Sequence, residues 1–213
     1  MSRFLISGCE VVVTMDDAGT ELAGGSILVE DGVISWVGTG SPPAGTPADA
    51  LDGRGCVAIP GLVNTHHHLY QVLTRARAQQ HGLFGWLTEL YPVWAGLDTE
   101  WVRVAAAAGL AELALSGCST STDHHYVFPA GAGDLLEAEV EAAHEIGLRF
   151  HPCRGSMDLG ASDSGLPPTR WSRTLIPRSL RPSERSAGSM TRRRAPCCAS
   201  RSRRVRHSRP ASG

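Results

Sequence analysis

The sequence predicts an α/β fold in three parts: a small β-sandwich segment (residues 1–58), about three βα units of an incomplete TIM-type (β/α)8 barrel (residues 59–168), and a disordered basic tail (residues 169–213). Residues 1–58 hold only short strand-like runs. Residues 59–168 alternate such runs with longer helical patterns, and the tail has no sustained period. With 42% hydrophobic residues among 213, the chain can build one domain or slightly more.

The first segment contains a predicted hairpin. Residues 26–38 read SILVEDGVISWVG, in which two apolar runs flank Asp31 and Gly32. An Asp-Gly pair between such runs favours a type I′ turn, because that turn requires positive φ at both central residues. We expect this segment to be scaffold rather than to carry chemistry.

The next stretch, residues 56–71, reads CVAIPGLVNTHHHLYQ and is interpreted as a buried strand that ends in histidines. Residues two apart in a strand point the same way, so His66 and His68 would aim at one point while His67 faces the opposite side. Such a pair suits a divalent ion such as zinc. The alternative is a polar strand end whose histidines meet solvent or backbone, and the bare spacing by itself favours that alternative.

Helices are predicted from their capping residues. Asp98 or Thr99 can begin an alanine-rich helix. Further on, Asp134 and Glu137 form a capping box for a helix that Gly147 ends. The aromatic-rich residues 81–97 also read as a short helix, in which most aromatic side chains are expected to pack in the core.

Two further strands are predicted, over residues 118–127 and 148–157. The first ends in His125, and the second carries His151 and Arg154. Because barrel enzymes place their chemistry at the C-terminal ends of parallel strands, His125 and His151 are second-tier candidates for that face. Each has an alternative role as a hydrogen-bonded strand end.

The net charge of -1 conceals two compositions. The chain has no lysine, and residues 170–213 hold 13 arginines against one acid, Glu184, so they carry +12 while residues 1–169 carry -13. Such an Arg, Ser and Pro-rich segment cannot offset its chain entropy by burying apolar surface, which predicts disorder. Three explanations stay open: a basic arm for nucleic acid or acidic membrane, a solvated linker, and a shifted reading frame, which we favour.

The six cysteines form no CxxC pair and no disulfide-like framework, which indicates reduced thiols. No stretch reads as a signal peptide or reaches membrane-spanning length. A cytoplasmic protein without a membrane partner is the expectation that follows.

Residues 1–168 resemble the amidohydrolase superfamily, most closely its 8-oxoguanine deaminase and guanine deaminase-like branch, whereas residues 170–213 do not. The strings that carry the resemblance are PGLVNTHHHLYQVLTRA, LFGWLTELYPVW, STDHHYVFP and RFHPCRGSMDLG followed by GLPP. The resemblance implies hydrolytic deamination of a purine ring by water activated at one divalent metal ion, usually zinc. It also implies a small purine-like heterocycle as partner, and a homo-oligomer for the complete family member.

Carried over residue by residue, the resemblance makes His66 and His68 the first two metal ligands. Gln71 would contact the edge of the heterocycle, as an amide with both donor and acceptor can. Trp86, in an FGWL context similar to that of purine and triazine members, would help to wall the pocket. Arg154 would meet polar groups of the substrate.

The resemblance is incomplete. The third metal histidine, the proton-transfer glutamate and the metal-binding aspartate of the family come from later strands and find no matching motif, since the only histidine after His151 is His207, in the tail. We therefore assign no catalytic residue and expect a truncated enzyme that is inactive or nearly so. Two alternatives stay open: a triazine-type hydrolase of another nitrogen heterocycle, and a non-catalytic fragment whose tail binds nucleic acid. A basic run alone specifies no sequence, which disfavours the second.

Overall fold

The structure is a computed structural model that describes residues 2–43, 49–157 and 167. The described residues divide into two compact units, one up to Pro60 and one from Gly61 onward. The arginine-rich tail, for which we predict disorder, lies outside the described residues. The four cysteines that the structure describes, Cys9, Cys56, Cys118 and Cys153, are free thiols, as predicted for this part of the chain.

The first unit is all β and consists of two small sheets. The larger sheet has the order β5-β4-β1-β6 and contains β1 (Arg3–Ser7), β4 (Gly25–Glu30), β5 (Val33–Thr39) and β6 (Asp49–Asp52). The smaller sheet has the order β3-β2-β7 and contains β2 (Val11–Val13), β3 (Glu21–Ala23) and β7 (Val57–Ala58). Val12 and Leu28 are buried, one from each sheet, and mark where the apolar interior of this unit lies.

The predicted hairpin is confirmed. Strands β4 and β5 pair antiparallel, with Glu30 opposite Val33. The connecting residues Asp31 and Gly32 have φ of 49° and 77°, so both take the positive φ that a type I′ turn requires.

The second unit alternates parallel strands with helices. Strands β8 (Leu62–Asn64), β9 (Cys118–His125) and β10 (Arg149–Arg154) form a parallel sheet in the order β10-β9-β8. A 3-10 helix (Leu69–Thr74), α1 (Leu83–Trp94) and α2 (Thr99–Leu115) lie between β8 and β9, and α3 (Leu135–Ile146) lies between β9 and β10. This is the predicted βα order, and within the described residues the sheet stays open rather than closing into a barrel.

The predicted helix caps are confirmed, whereas three strand ends differ from prediction. The side chains of Asp98 and Asp134 accept from the N–H groups of Trp101 and Glu137, at 2.7 Å and 3.1 Å. Gly147 ends α3 with φ of 83°, in the left-handed region. Strands β9 and β10 stop at residues 125 and 154 and contain their histidines. Strand β8 stops at residue 64, so the histidine triplet follows this strand instead of lying in it. The strand predicted to be buried here is also exposed, at Leu62 and Val63.

Two clusters of buried side chains hold the helices of this unit. One gathers the aromatic and aliphatic residues of α1 and its surroundings, among them Tyr70, Leu90 and Trp94. The other joins Leu69 to the facing sides of α2 and α3 through Leu110 and Ala142. Through these two clusters, the 3-10 helix that follows the histidines packs against the helices of this unit. In the described part of the chain, no helix combines the length and apolarity needed to cross a membrane.

The Asp134 cap offers a local test of this unit. Replacing Asp134 by Ala removes the acceptor for the Glu137 amide, and we expect the free energy of unfolding to fall by about 1 kcal/mol. Urea unfolding followed by circular dichroism measures the change. Glu141→Ala, an exposed change on the same helix, is the control and should alter stability by less than about 0.5 kcal/mol. Equal effects of the two changes would contradict the capping role.

Candidate functional site

The first and third histidines of the triplet converge although the strand ends before them. The Nε2 atoms of His66 and His68 lie 3.2 Å apart. Two imidazole nitrogens that bind one tetrahedral zinc at about 2.0–2.1 Å are separated by about 3.3–3.4 Å. The distance between the two Nε2 atoms is therefore close to that of two ligands to one metal ion.

The hydrogen bonding of His68 sets the tautomer that a metal requires. Its Nδ1 lies 2.7 Å from the carbonyl oxygen of His124. A carbonyl only accepts, so Nδ1 carries the proton and Nε2 keeps its lone pair for a metal. Burial lowers the pKa of His68 and so favours the neutral ring that metals bind. The residues present thus fit a divalent metal ion.

Four of the predicted site residues line one pocket of about 400 Å³, a volume suited to a small ligand. They are His66, His68, Gln71 and Trp86. The remaining lining comes from His67, Val72, Thr74, Arg75 and Ala76. The structure thus brings together the histidine pair, an amide and an indole, at the end of β8 and on the elements that follow it.

The structure corrects the expected placement of His125. Side chains alternate along β9, so Asp123 and His125 point toward α3 and are fully buried, while His124 points the other way. The ring of His124 stacks on that of His66, with centroids 4.9 Å apart and planes at 27°. We did not select His124 from the sequence, yet it is the histidine of β9 that lies beside the pair.

Two further predicted residues lie outside the pocket lining. His151 is exposed on β10. The guanidinium of Arg154 lies over the ring of Phe128, at 4.1 Å from its centroid, and its Nη1 donates to the carbonyl of Gly155 at 3.5 Å. The structure therefore does not join His151 or Arg154 to the histidine pair.

A buried polar cluster, formed by Asp123, His125 and Glu139, lies behind the pair and escaped the sequence prediction. Their potential ligand atoms all lie within 4.8 Å of one another. His125 Nδ1 meets Glu139 Oε1 at 2.6 Å, and its Nε2 donates to the carbonyl of Val127 at 2.8 Å. The available signals were the period of two in β9, and a glutamate among the buried residues Leu135, Ala138 and Ala142 of α3.

This cluster is built to hold protons. Burial, followed by repulsion from Glu139, raises the pKa of Asp123 to about 8, and burial raises the pKa of Glu139 to about 8. Burial also lowers the pKa of His125, so its neutral Nδ1 accepts from the Glu139 carboxyl group. Because both nitrogens of His125 are already engaged, a proton fits the cluster as it stands and a metal ion does not.

The cluster predicts how stability depends on pH. Asp123 and Glu139 keep protons up to a pKa of about 8 when folded, whereas their ordinary values are 3.8 and 4.5. Below about pH 6.5 the lowered pKa values of His125, His68 and His67 act in the opposite direction, because there the unfolded chain binds the extra protons. Above that range the folded state binds more protons through the two carboxyl groups, and the free energy of unfolding should fall as pH rises from about 6.5 to about 8, by up to about 1.4 kcal/mol per pH unit for each retained proton. Urea midpoints across that range measure the slope. Glu139→Gln should reduce it and the exposed control Glu141→Gln should not; an unchanged slope in Glu139→Gln would count against the retained protons.

Comparisons with known proteins identify the family of this chain. The model of the amidohydrolase family matches residues 57–203, a range that runs into the arginine-rich tail. The 8-oxoguanine deaminase of Pseudomonas aeruginosa is 46% identical over 171 residues, which cover 79% of this chain and 37% of that protein. The hydroxydechloroatrazine ethylaminohydrolase of Pseudomonas sp. (strain ADP) is 35% identical over 181 residues, covering 79% of this chain and 38% of that protein.

Solved structures show the same relationship. The atrazine chlorohydrolase of Arthrobacter aurescens TC1, crystallised with zinc, matches with a TM-score of 0.74 and 35% identity over 79% of this chain and 39% of that one. Escherichia coli guanine deaminase, at 21% identity and a TM-score of 0.56 over 82% of this chain and 40% of that one, shares the fold.

The chain spans under two fifths of the length of these two curated relatives. The family match nevertheless covers more than half of the 213 residues. This chain belongs to the amidohydrolase family, and the described residues of its second unit form an α/β sheet of the TIM-barrel type found in its structural neighbours.

Proposed function

We propose that this chain is part of a metal-dependent aminohydrolase that removes the amine of a purine-like ring, with 8-oxoguanine as the first substrate to test. One observation carries the proposal: His66 and His68 converge at 3.2 Å in a pocket that also presents an amide and an indole. The 46% identity to an 8-oxoguanine deaminase supports this substrate class.

The histidine pair would hold one divalent metal ion, and the zinc in a related triazine hydrolase structure supports zinc as that ion. When bound, zinc supplies a Lewis acid that activates water for attack on the amine-bearing carbon. The backbone carbonyl of His124 keeps the Nδ1 proton of His68 in place and so leaves Nε2 directed at the metal.

The rest of the pocket suits a flat, uncharged ring. Gln71 donates through Nε2 to the hydroxyl of Tyr70 at 3.2 Å, which leaves its Oε1 to accept from a ring N–H. Trp86 packs its ring against Trp94, with centroids 5.2 Å apart, and can act as a fixed wall for stacking.

The charged member of the pocket lining is already paired. The guanidinium of Arg75 donates two hydrogen bonds to Glu112, at 2.9 Å and 2.7 Å. The pocket is therefore better suited to binding a neutral heterocycle than an anionic one.

A triazine-type hydrolase is the second candidate. It is favoured by the 35% identity to an ethylaminohydrolase that is named for a hydroxylated triazine. The same histidine pair and aromatic wall would serve this reaction, in which a different group leaves the ring.

We expect the 213-residue chain itself to be inactive or nearly so. In the described part of the chain, His66 and His68 are the pair placed as ligands, whereas a catalytic zinc uses three protein ligands. Release of ammonia from 8-oxoguanine and guanine, and of ethylamine from a hydroxylated ethylaminotriazine, measured with the zinc-loaded chain, ranks the candidates. Rapid release would contradict the expected inactivity, and preference for the triazine would favour the second candidate.

The role of the histidine pair in binding metal can be tested separately. His66→Ala and His68→Ala should each weaken zinc binding by more than about 100-fold, beyond the cost of changes outside the ligand set. The matched control is His151→Ala, which removes an exposed histidine that does not line the pocket. Metal competition titrations give the affinities. Equal zinc affinity in all three variants would refute the assignment.

The tail is tested separately. If residues 170–213 bind nucleic acid, binding should weaken steeply with salt and vanish when the tail is deleted. If they arise from a shifted frame, another frame of the coding DNA beyond residue 160 should encode a later histidine, glutamate and aspartate in the family pattern.

A further inference from the structure

The histidine loop (residues 66–69) is tied to β9 by a buried side chain. The N–H of Leu69, the residue directly after His68, donates to Asp123 Oδ1 at 2.6 Å. Leu69 is also the first residue of the 3-10 helix, and the side chain of His68, its N-cap, makes no capping bond. A carboxyl group from a neighbouring strand therefore supplies the acceptor that a local cap would otherwise provide.

Backbone bonds from the next residue of β9 reach the same loop. The N–H of His124 donates to the carbonyl of His67 at 2.9 Å, and the carbonyl of His124 accepts from His68 Nδ1 at 2.7 Å. Two consecutive strand residues thus hold three consecutive loop residues. Of these three bonds, the bond from Asp123 depends on the identity of the side chain in β9.

Asp123 is itself held from behind. Asp123, His125 and Glu139 are each fully buried. Oδ2 of Asp123 and Oε2 of Glu139 are also buried, and they have no hydrogen-bond partner among the described residues. Burying two carboxyl groups is costly unless their hydrogen bonds are used. The hydrogen bond from the N–H of Leu69 satisfies Oδ1 of Asp123 on the side of the histidine loop.

We propose that Asp123, supported by Glu139 and His125, is a positioning residue that fixes the histidine loop and so keeps the Nε2 atoms of His66 and His68 at metal-binding distance. This inference rests on the proposed metal function. It links α3, which carries Glu139, to the geometry of a site that α3 does not line.

The test compares two substitutions at one position in the full 213-residue chain. Asp123→Ala removes the acceptor for Leu69. Asp123→Asn keeps an oxygen for Leu69 and adds an N–H for Glu139, and asparagine equals aspartate as a capping residue. Leu135→Ala is the stability control, because it removes a buried side chain of α3 and leaves the Asp123 bond intact.

Two readouts separate positioning from general damage to the fold. Cobalt(II) titration should show an affinity about 10–100-fold weaker for Asp123→Ala, with an altered visible spectrum. Asp123→Asn and Leu135→Ala should bind cobalt as the unmodified chain does, although Leu135→Ala unfolds at lower urea concentration. Hydrogen exchange at the Leu69 amide of the metal-free chain should accelerate in Asp123→Ala and not in Asp123→Asn.

The outcomes distinguish the two proposals. Unchanged cobalt affinity and spectrum in folded Asp123→Ala would overturn the positioning role and leave the metal site standing. If the unmodified chain binds no cobalt, the metal site fails and so does the claim that Asp123 serves it. The exchange experiment then still decides whether Asp123 holds the loop, and equal protection of Leu69 in both variants would overturn that as well.

Discussion

The alternation of side chains along β9 is the constraint on which the described site depends. Asp123 and His125 turn toward the helices, while His124 between them turns toward the histidine loop. Strand β9 also pairs in parallel with β8, where Asn64 Nδ2 donates to Ser121 Oγ at 3.0 Å. One strand therefore fixes the start of the loop, stacks on His66 and orients His68.

The polar groups behind the loop illustrate how a buried cluster is made tolerable. Two carboxyl groups and an imidazole in an apolar layer would be strongly destabilising as separate charges. Glu139 and His125 are instead joined by a hydrogen bond of 2.6 Å, and Asp123 accepts from the N–H of Leu69. The raised carboxyl and lowered imidazole pKa values indicate that all three groups are kept largely neutral. Through Asp123, the same group of residues thus connects the core of the second unit to the histidine loop, which contributes to the pocket lining.

The aromatic side chains of α1 contribute both to the core and to the pocket. Trp94 is fully buried, donates from Nε1 to Thr74 Oγ1 at 3.2 Å, and packs edge-to-face against Tyr70. Trp86 packs on the same ring and reaches the pocket lining. A rigid indole wall is therefore supported by residues that also hold the fold together, which restricts how far the wall can adapt to a ligand.

The sequence by itself determined what neighbouring residues decide. The turn at Asp31 and Gly32 and the caps at Asp98 and Asp134 all follow from local backbone geometry. The convergence of His66 and His68 does not follow from strand alternation, because both residues lie beyond the end of β8 and His68 is held by the carbonyl of His124. Only the tertiary structure decided which face of β9 is covered by α3, because alternation gives two faces and the local sequence does not distinguish them. It likewise brought Asp123 to Leu69, which is 54 residues away, and His125 to Glu139 across the strand–helix interface. Such contacts depend on how β9 and α3 pack, which no local pattern specifies.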